Sequence, residues 1–234
     1  MKTLAFAMAA VVGLFVGTCA DAAITLGLSS VDDATMQFAG TGSQSTITFT
    51  NGPQGNSFGI RTVDGSPGGS ATGLFGTISG SFSYSVAGIT TTGSLQTAAL
   101  TGTGVMSIGP AGGPALTATI SGIDIFSLGS VGGLNGLNSL INLSNVSYSG
   151  SNVALLQLKN EVAAGGGVVT ISYQFATPTS LTALAAAGCP TSTTYSGTIS
   201  TVTTVPEPGT MGMAFSGVVL LGLGYYGQWR RMRA

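Results

Sequence analysis

Histidine is absent from this chain, charge is scarce, and cysteine occurs twice. The first absence removes Ser-His-Asp and Cys-His nucleophiles and the commonest zinc ligand. The second is as restrictive. Only 6% of the 234 residues are charged, against about 25% in an average globular chain. Between Ala23 and Val205 two cationic side chains, Arg61 and Lys159, stand against five acidic ones, Asp32, Asp33, Asp64, Asp124 and Glu161, a net of −3. Nucleic-acid binding depends on neutralising phosphates with Lys and Arg. Two such residues cannot supply that, so no nucleic-acid partner is expected. Scarce charge does not mean disorder, because disordered chains lack aliphatic and β-branched residues. Here Val, Ile, Leu and Thr recur in short alternating runs, and the surface must be polar through Ser, Thr, Asn and Gln. Such a surface is electrostatically quiet.

The N-terminal end reads as an export signal. Met1-Lys2-Thr3 gives a short positive start, and Leu4 to Val16 is an apolar run of signal-core length. Ala20-Asp21-Ala22 then fits the small-x-small pattern, with cleavage before Ala23. Processing as a lipoprotein at Cys19 is the alternative, although Thr18 sits where Gly, Ala or Ser is usual. If Cys19 leaves with the signal, Cys189 is the only thiol of the mature chain and no internal disulfide can form. A buried Cys189 acting as a small hydrophobe fits equally well.

From Gly209 to Trp229 no residue is charged. About 20 helical residues cross a bilayer core, so a transmembrane helix is predicted over about 211–229. Arg230, Arg231 and Arg233 follow it and hold the extreme C-terminus in the cytoplasm by the positive-inside rule. Just before the span stands Val205-Pro206-Glu207-Pro208-Gly209, whose prolines break helix and strand and leave an extended linker. Pro-Glu-Pro, an apolar span and a terminal Arg cluster, in that order, resemble the PEP-CTERM sorting signal. The resemblance covers roughly the last 30 residues. It implies recognition of Pro206, Glu207 and Pro208 by an exosortase, a transient inner-membrane stage after the Sec translocon, and the three arginines as a stop. It further implies a Gram-negative, exopolysaccharide-producing host, with exopolysaccharide as a further partner and the outer envelope or biofilm matrix as destination. These residues would be the substrate of another enzyme.

The predicted organisation is therefore a signal peptide over 1–22, a β-rich extracytoplasmic domain over 23–204 and a sorting segment over 205–234. Ile47 and Phe49 alternate with polar neighbours, as do Phe82, Tyr84 and Val86. So do Leu116, Ala118 and Ile120, and again Val169, Ile171, Tyr173 and Phe175. Alternation of this kind marks half-buried antiparallel strands. Gly-, Pro- and Asn-containing turns at 51–53, 64–69, 109–114 and 165–167 separate them. The expected fold class is all-β, an antiparallel β-sandwich or jelly roll, with an N-terminal signal helix and the C-terminal transmembrane helix. No fixed period marks a β-solenoid. One short helix is expected over Leu181 to Ala187, capped by Thr179 or Ser180 and closed by Gly188.

Little in the domain points to chemistry. Paired carboxylates can serve a glycosidase, but the five here sit mostly in apparent turns, where Asp is favoured structurally. Calcium could use Asp32-Asp33 or Asp64, yet no EF-hand spacing or Gly-Asp repeat is present. Gly40-Thr41-Gly42 and Gly102-Thr103-Gly104 lack the setting of a phosphate cradle and read as turns. Asn142-Leu143-Ser144 and Asn145-Val146-Ser147 match the N-glycosylation pattern in a Ser-rich stretch where chance accounts for it. No catalytic residue, cofactor or metal is expected. The leading expectation is an exported, non-catalytic surface or matrix protein. The alternative is a carbohydrate-binding β-sandwich, with Tyr84, Tyr148, Tyr173 and Tyr195 as aromatic platforms; ordinary strand packing is the other use for those rings.

Overall fold

The computed structural model describes residues 23–66, 70–128, 136–177, 179–188 and 190–201. The signal segment up to Ala22, Cys189, the Pro206-Glu207-Pro208 motif, the expected span and the three arginines lie outside the described residues. Among the described residues no helix is long and apolar enough to cross a membrane.

Among the described residues thirteen strands run in chain order. They are β1 (Thr25–Ser30), β2 (Met36–Gly40), β3 (Gln44–Phe49), β4 (Phe58–Asp64), β5 (Phe75–Ser85), β6 (Thr90–Thr92), β7 (Leu95–Ala99), β8 (Thr101–Gly109), β9 (Leu116–Leu128), β10 (Gly136–Ser147), β11 (Gly167–Tyr173), β12 (Pro190–Thr193) and β13 (Tyr195–Thr201). Every pairing is antiparallel. The period-two pattern sets the faces as expected: Ile47, Phe82, Tyr84, Leu116, Ala118, Ile120, Val169, Ile171 and Tyr173 are all buried, and Phe49, Val86 and Phe175 pack against them half-buried.

The two separate sheets of a sandwich are not what the pairing gives. All strands belong to one continuous sheet, in the order β12-β2-β3-β5-β4-β1-β13-β11-β10-β9-β7-β6, and β8 bridges β5 to β9. That bridge closes β5, β4, β1, β13, β11, β10, β9 and β8 into an eight-stranded antiparallel barrel, with β3-β2-β12 and β7-β6 as extensions. Closure removes the open edges of those eight strands. Phe38 of β2 meets Tyr173 of β11 with ring centroids 5.3 Å apart, and Phe49 of β3 meets Tyr195 of β13 at the same distance. The first extension thus packs its apolar face on β11 and β13.

Gly102-Thr103-Gly104 is corrected by the structure. These residues lie inside β8, opposite Phe82, Ser81 and Gly80 of β5. A Cβ on Gly102 would fall 2.2 Å from the Ser81 carbonyl oxygen, and one on Gly104 would fall 2.0 Å from that of Ser79. Gly102 and Gly80 also hold φ of 117° and 119°, where side chains are strained. Close backbone approach, and no turn, explains these glycines.

A second difference is a helix that the alternation conceals. Helix α1 (Val153–Gly165) starts at Asn152, whose Oδ1 accepts from the Leu155 N–H at 3.1 Å, and ends at Gly166 with φ 85°. Ala154, Leu155, Leu158 and Val162 form its buried stripe. Full burial of each leucine is worth roughly 1.5–3 kcal/mol. The stripe packs mainly on β10 and β13. The short helix near 181 is present as α2 (Leu181–Leu184), capped by Ser180 as expected, but shorter, because Ala185 already leaves the helical run. Gly188, expected to close the helix, instead lies three residues beyond the Ala185 cap, with φ 73°.

Phe82→Asp would place a carboxylate at a position 1% exposed, against Phe49. The expected loss is at least about 3 kcal/mol, read as a lowered denaturation midpoint. A variant melting with the parent would show the register of β5 to be misassigned.

Candidate functional site

The carboxylates form no single cluster; only Asp64 and Glu161 come to the same segment, at Thr25 and Ile24. Asp32 and Asp33 occupy the tight turn after β1, with φ of 48° and 64°, closed by the Ala34 N–H to Val31 carbonyl bond of 2.8 Å. Short polar side chains tolerate that left-handed geometry. Asp64 ends β4 and Asp124 stands mid-strand in β9, opposite Leu140 and Ala99; both are exposed. Glu161 lies on α1. Its Oε2 accepts from the Ile24 N–H at 3.0 Å and from the Thr201 hydroxyl, while Oε1 accepts from Gln157 Nε2 at 2.7 Å. Among the described residues no group of three or more Asp, Glu or Cys could hold a metal ion.

The four tyrosines are core residues. None exceeds 5% exposure, and each phenol oxygen is held. Tyr84 donates to the Leu181 carbonyl at 2.7 Å and Tyr195 to the Ser57 carbonyl at 3.0 Å. Tyr148 accepts from the Asn152 N–H at 3.1 Å, and Tyr173 from the Ser139 hydroxyl at 3.5 Å. Rings buried this way offer no platform to a sugar. Burial pushes the Tyr84 phenol up to about 12 and raises Tyr195 and Tyr173 further, against smaller lowering by nearby serines.

A concavity of about 740 Å³ lies where β1 and β11 end and β10 and β13 begin. Ser29, Ser30, Asn138, Ser172, Gln174, Thr194 and Ser196 line it together with the edges of Leu137, Tyr173 and Tyr195. Four of these form one cross-strand row, because Asn138 pairs with Ser172, Ser172 with Ser196, and Ser196 with Ser29. Both ends of the row are held. Ser172 Oγ donates to Asn138 Oδ1 at 2.5 Å, and Arg61 Nε donates to Ser29 Oγ at 2.8 Å. Hydroxyls and amides without a carboxylate, thiol or imidazole can hydrogen-bond a neutral polar ligand, but none exchanges protons near neutral pH. A smaller cavity of about 170 Å³ lies beside the partly exposed Phe75 and is lined by Asn56, Thr77, Ser107 and Pro110.

Sequence reasoning passed over this groove. Its signal was present in the polar half of the alternation: Ser172 sits between the buried Ile171 and Tyr173, and Ser196 follows the buried Tyr195. Comparisons with protein-family models, with curated proteins and with solved structures each gave no match.

The phenols of Tyr84, Tyr173 and Tyr195 set an alkaline limit. A phenol raised by folding contributes its full stability below its unfolded value near 10, and that contribution is lost as pH rises towards the folded value. The melting temperature should therefore be insensitive to these groups up to about pH 9 and fall between about pH 10 and 12. Tyrosinate absorbance from Tyr84, Tyr173 and Tyr195 should rise late, together with unfolding. Ionisation of these three near pH 10 in a folded protein would contradict the burial described.

Proposed function

We propose that this chain is an exported, non-catalytic surface or extracellular matrix protein whose C-terminal segment is a PEP-CTERM-type sorting signal processed by an exosortase. The observation that carries the reading is the order of Pro206-Glu207-Pro208, the apolar stretch to Trp229 and the arginines at 230, 231 and 233. A permanent anchor needs only an apolar stretch and flanking charge. It gives no reason for a rigid, extended motif with one carboxylate at the outer boundary. The dispersed carboxylates and neutral groove of the β domain agree with a role that involves no chemistry. We read the domain as a flattened form of the sandwich or jelly roll, since the contacts of Phe38 with Tyr173 and Phe49 with Tyr195 press two stretches of one sheet together.

One observation favours a second reading, the binding of a neutral glycan. It is the row Asn138-Ser172-Ser196-Ser29 in the 740 Å³ groove. Its donors and acceptors suit a polyhydroxylated, uncharged ligand, and the low charge of the domain leaves little to attract an ionic one.

Two measurements test these readings. Replacing Pro206, Glu207 and Pro208 by alanine should make a larger, uncleaved form accumulate in the inner membrane, seen by fractionation and intact mass; processing like the parent would reduce the tail to a plain anchor. For the groove, Ser172→Leu combined with Ser196→Leu should weaken retardation in gels containing neutral polysaccharide by about tenfold or more, consistent with loss of two hydrogen bonds. Equal migration of parent and variant in every such gel would end the glycan reading.

A further inference from the structure

Glu161 is a half-buried carboxylate held by neutral donors. They reach it from three places: the Ile24 backbone before β1, the Thr201 hydroxyl at the end of β13, and Gln157 one turn earlier on α1. The two cations of the domain are engaged elsewhere. Arg61 donates to Ser29, and Lys159 Nζ donates to the Tyr148 carbonyl at 3.1 Å. Removing a carboxylate from water without a counter-charge is costly, and neutral donors offset that cost only in part. The position of this carboxylate is specific. Oε2 accepts from the N–H of the residue directly after Ala23, the residue expected to become the mature N-terminus. Cleavage of the Ala22–Ala23 amide by water converts an uncharged N–H into an ammonium one residue from that hydrogen bond.

We infer that Glu161 is the binding site for the α-ammonium of the processed protein, so that its ion pair forms only after the signal is removed. The inference rests on the reading that the chain is cut before Ala23. The surroundings leave few competing charges. β10 carries no titratable group, and β13 carries only Tyr195, at the end of the strand away from Thr201. On β4, Asp64 lies opposite Thr25 and adds a second negative charge near the same terminus. Lys159 is the one cation on α1. An ammonium drawn in by Glu161 joins the first residue of the mature chain to the last residue of β13 through one carboxylate, beside the bond of the Thr201 N–H to the Ile24 carbonyl at 3.3 Å. The neutral contacts of Glu161 are those of the uncleaved chain. Processing adds the charge that completes them.

The test uses the full chain expressed with export, purified after signal removal, with its N-terminus fixed by intact mass and terminal sequencing. The pH dependence of acetylation of the Ala23 amine, read by mass spectrometry with Lys159 as internal reference, gives the titration midpoint. An α-amine without a partner titrates at roughly 7.7–8.0. The parent midpoint should lie at least about one pH unit higher, and Glu161→Gln, which keeps an acceptor oxygen, should return it to the ordinary range. Thr201→Val, which removes a neutral donor and leaves the charge, should keep the raised midpoint and so separates pairing from general loosening of the site. An Ala23 terminus that titrates alike in parent and Glu161→Gln overturns the pairing and leaves the cleavage reading standing. A mature chain that begins elsewhere overturns both.

Discussion

The pairing of β5 with β8 is the contact on which the closed sheet turns. Nine register pairs, from Phe75 with Gly109 to Ser83 with Thr101, join strands that would otherwise each end in an open edge. The two backbones come so close at Gly80, Gly102 and Gly104 that no side chain fits between them. Burial elsewhere follows from that closure. Met106 and Ile108 of β8 and Ile78 of β5 point inward beside Leu116 and Ile120 of β9, all at most 2% exposed. With two cations and five acids in the whole domain, electrostatics cannot hold such a ring; apolar burial and sheet hydrogen bonds must. On the opposite flank β4 meets β5 through only two register pairs, at Phe58 and Gly59, and Gly76 makes room for the Phe58 ring. The ring therefore has one long seam and one short one.

How much of this was legible in the sequence depends on period. Strands with a polar and an apolar face announce themselves, and the faces of β3, β5, β9 and β11 follow from alternation alone. Helix α1 did not, because Val153-Ala154-Leu155-Leu156 reads at first as a continuous apolar run. Its signature lies in the wider spacing of Leu155, Leu158 and Val162, together with Asn152 before it and Gly165-Gly166-Gly167 across its end. The Gly102-Thr103-Gly104 reading failed for a related reason. Glycine marks both turns and close backbone approaches, and the local sequence does not say which partner strand lies opposite. Closure into one sheet was equally hidden: β8 pairs with β9 as a local hairpin, but its other pairing, with β5, joins strands that β6 and β7 separate in the chain.

Little of the candidate site was legible. Lack of histidine follows from composition, whereas the placement of Asp32, Asp64 and Asp124 on separate turns and strands follows only from the fold. The tyrosines could be read in two ways, because a ring at an alternating strand position can face the core or the solvent. Burial decides it for all four, and the polar face then falls to the serines between them. A row such as Asn138-Ser172-Ser196-Ser29 exists only through register, as its members come from four strands. The multiple roles of Glu161 are likewise a product of tertiary position; in sequence it is an ordinary helical acid.

The arrangement of the first and last strands has a mechanical consequence. β1 and β13 are neighbours, with Thr25 opposite Ser200, so chain enters and leaves the domain at one point. Tension between those two ends would peel β1 from β13 one hydrogen bond at a time, as a zipper opens, and would not load the ladder in shear. Inserted in series along a stretched filament, the domain would be a weak link.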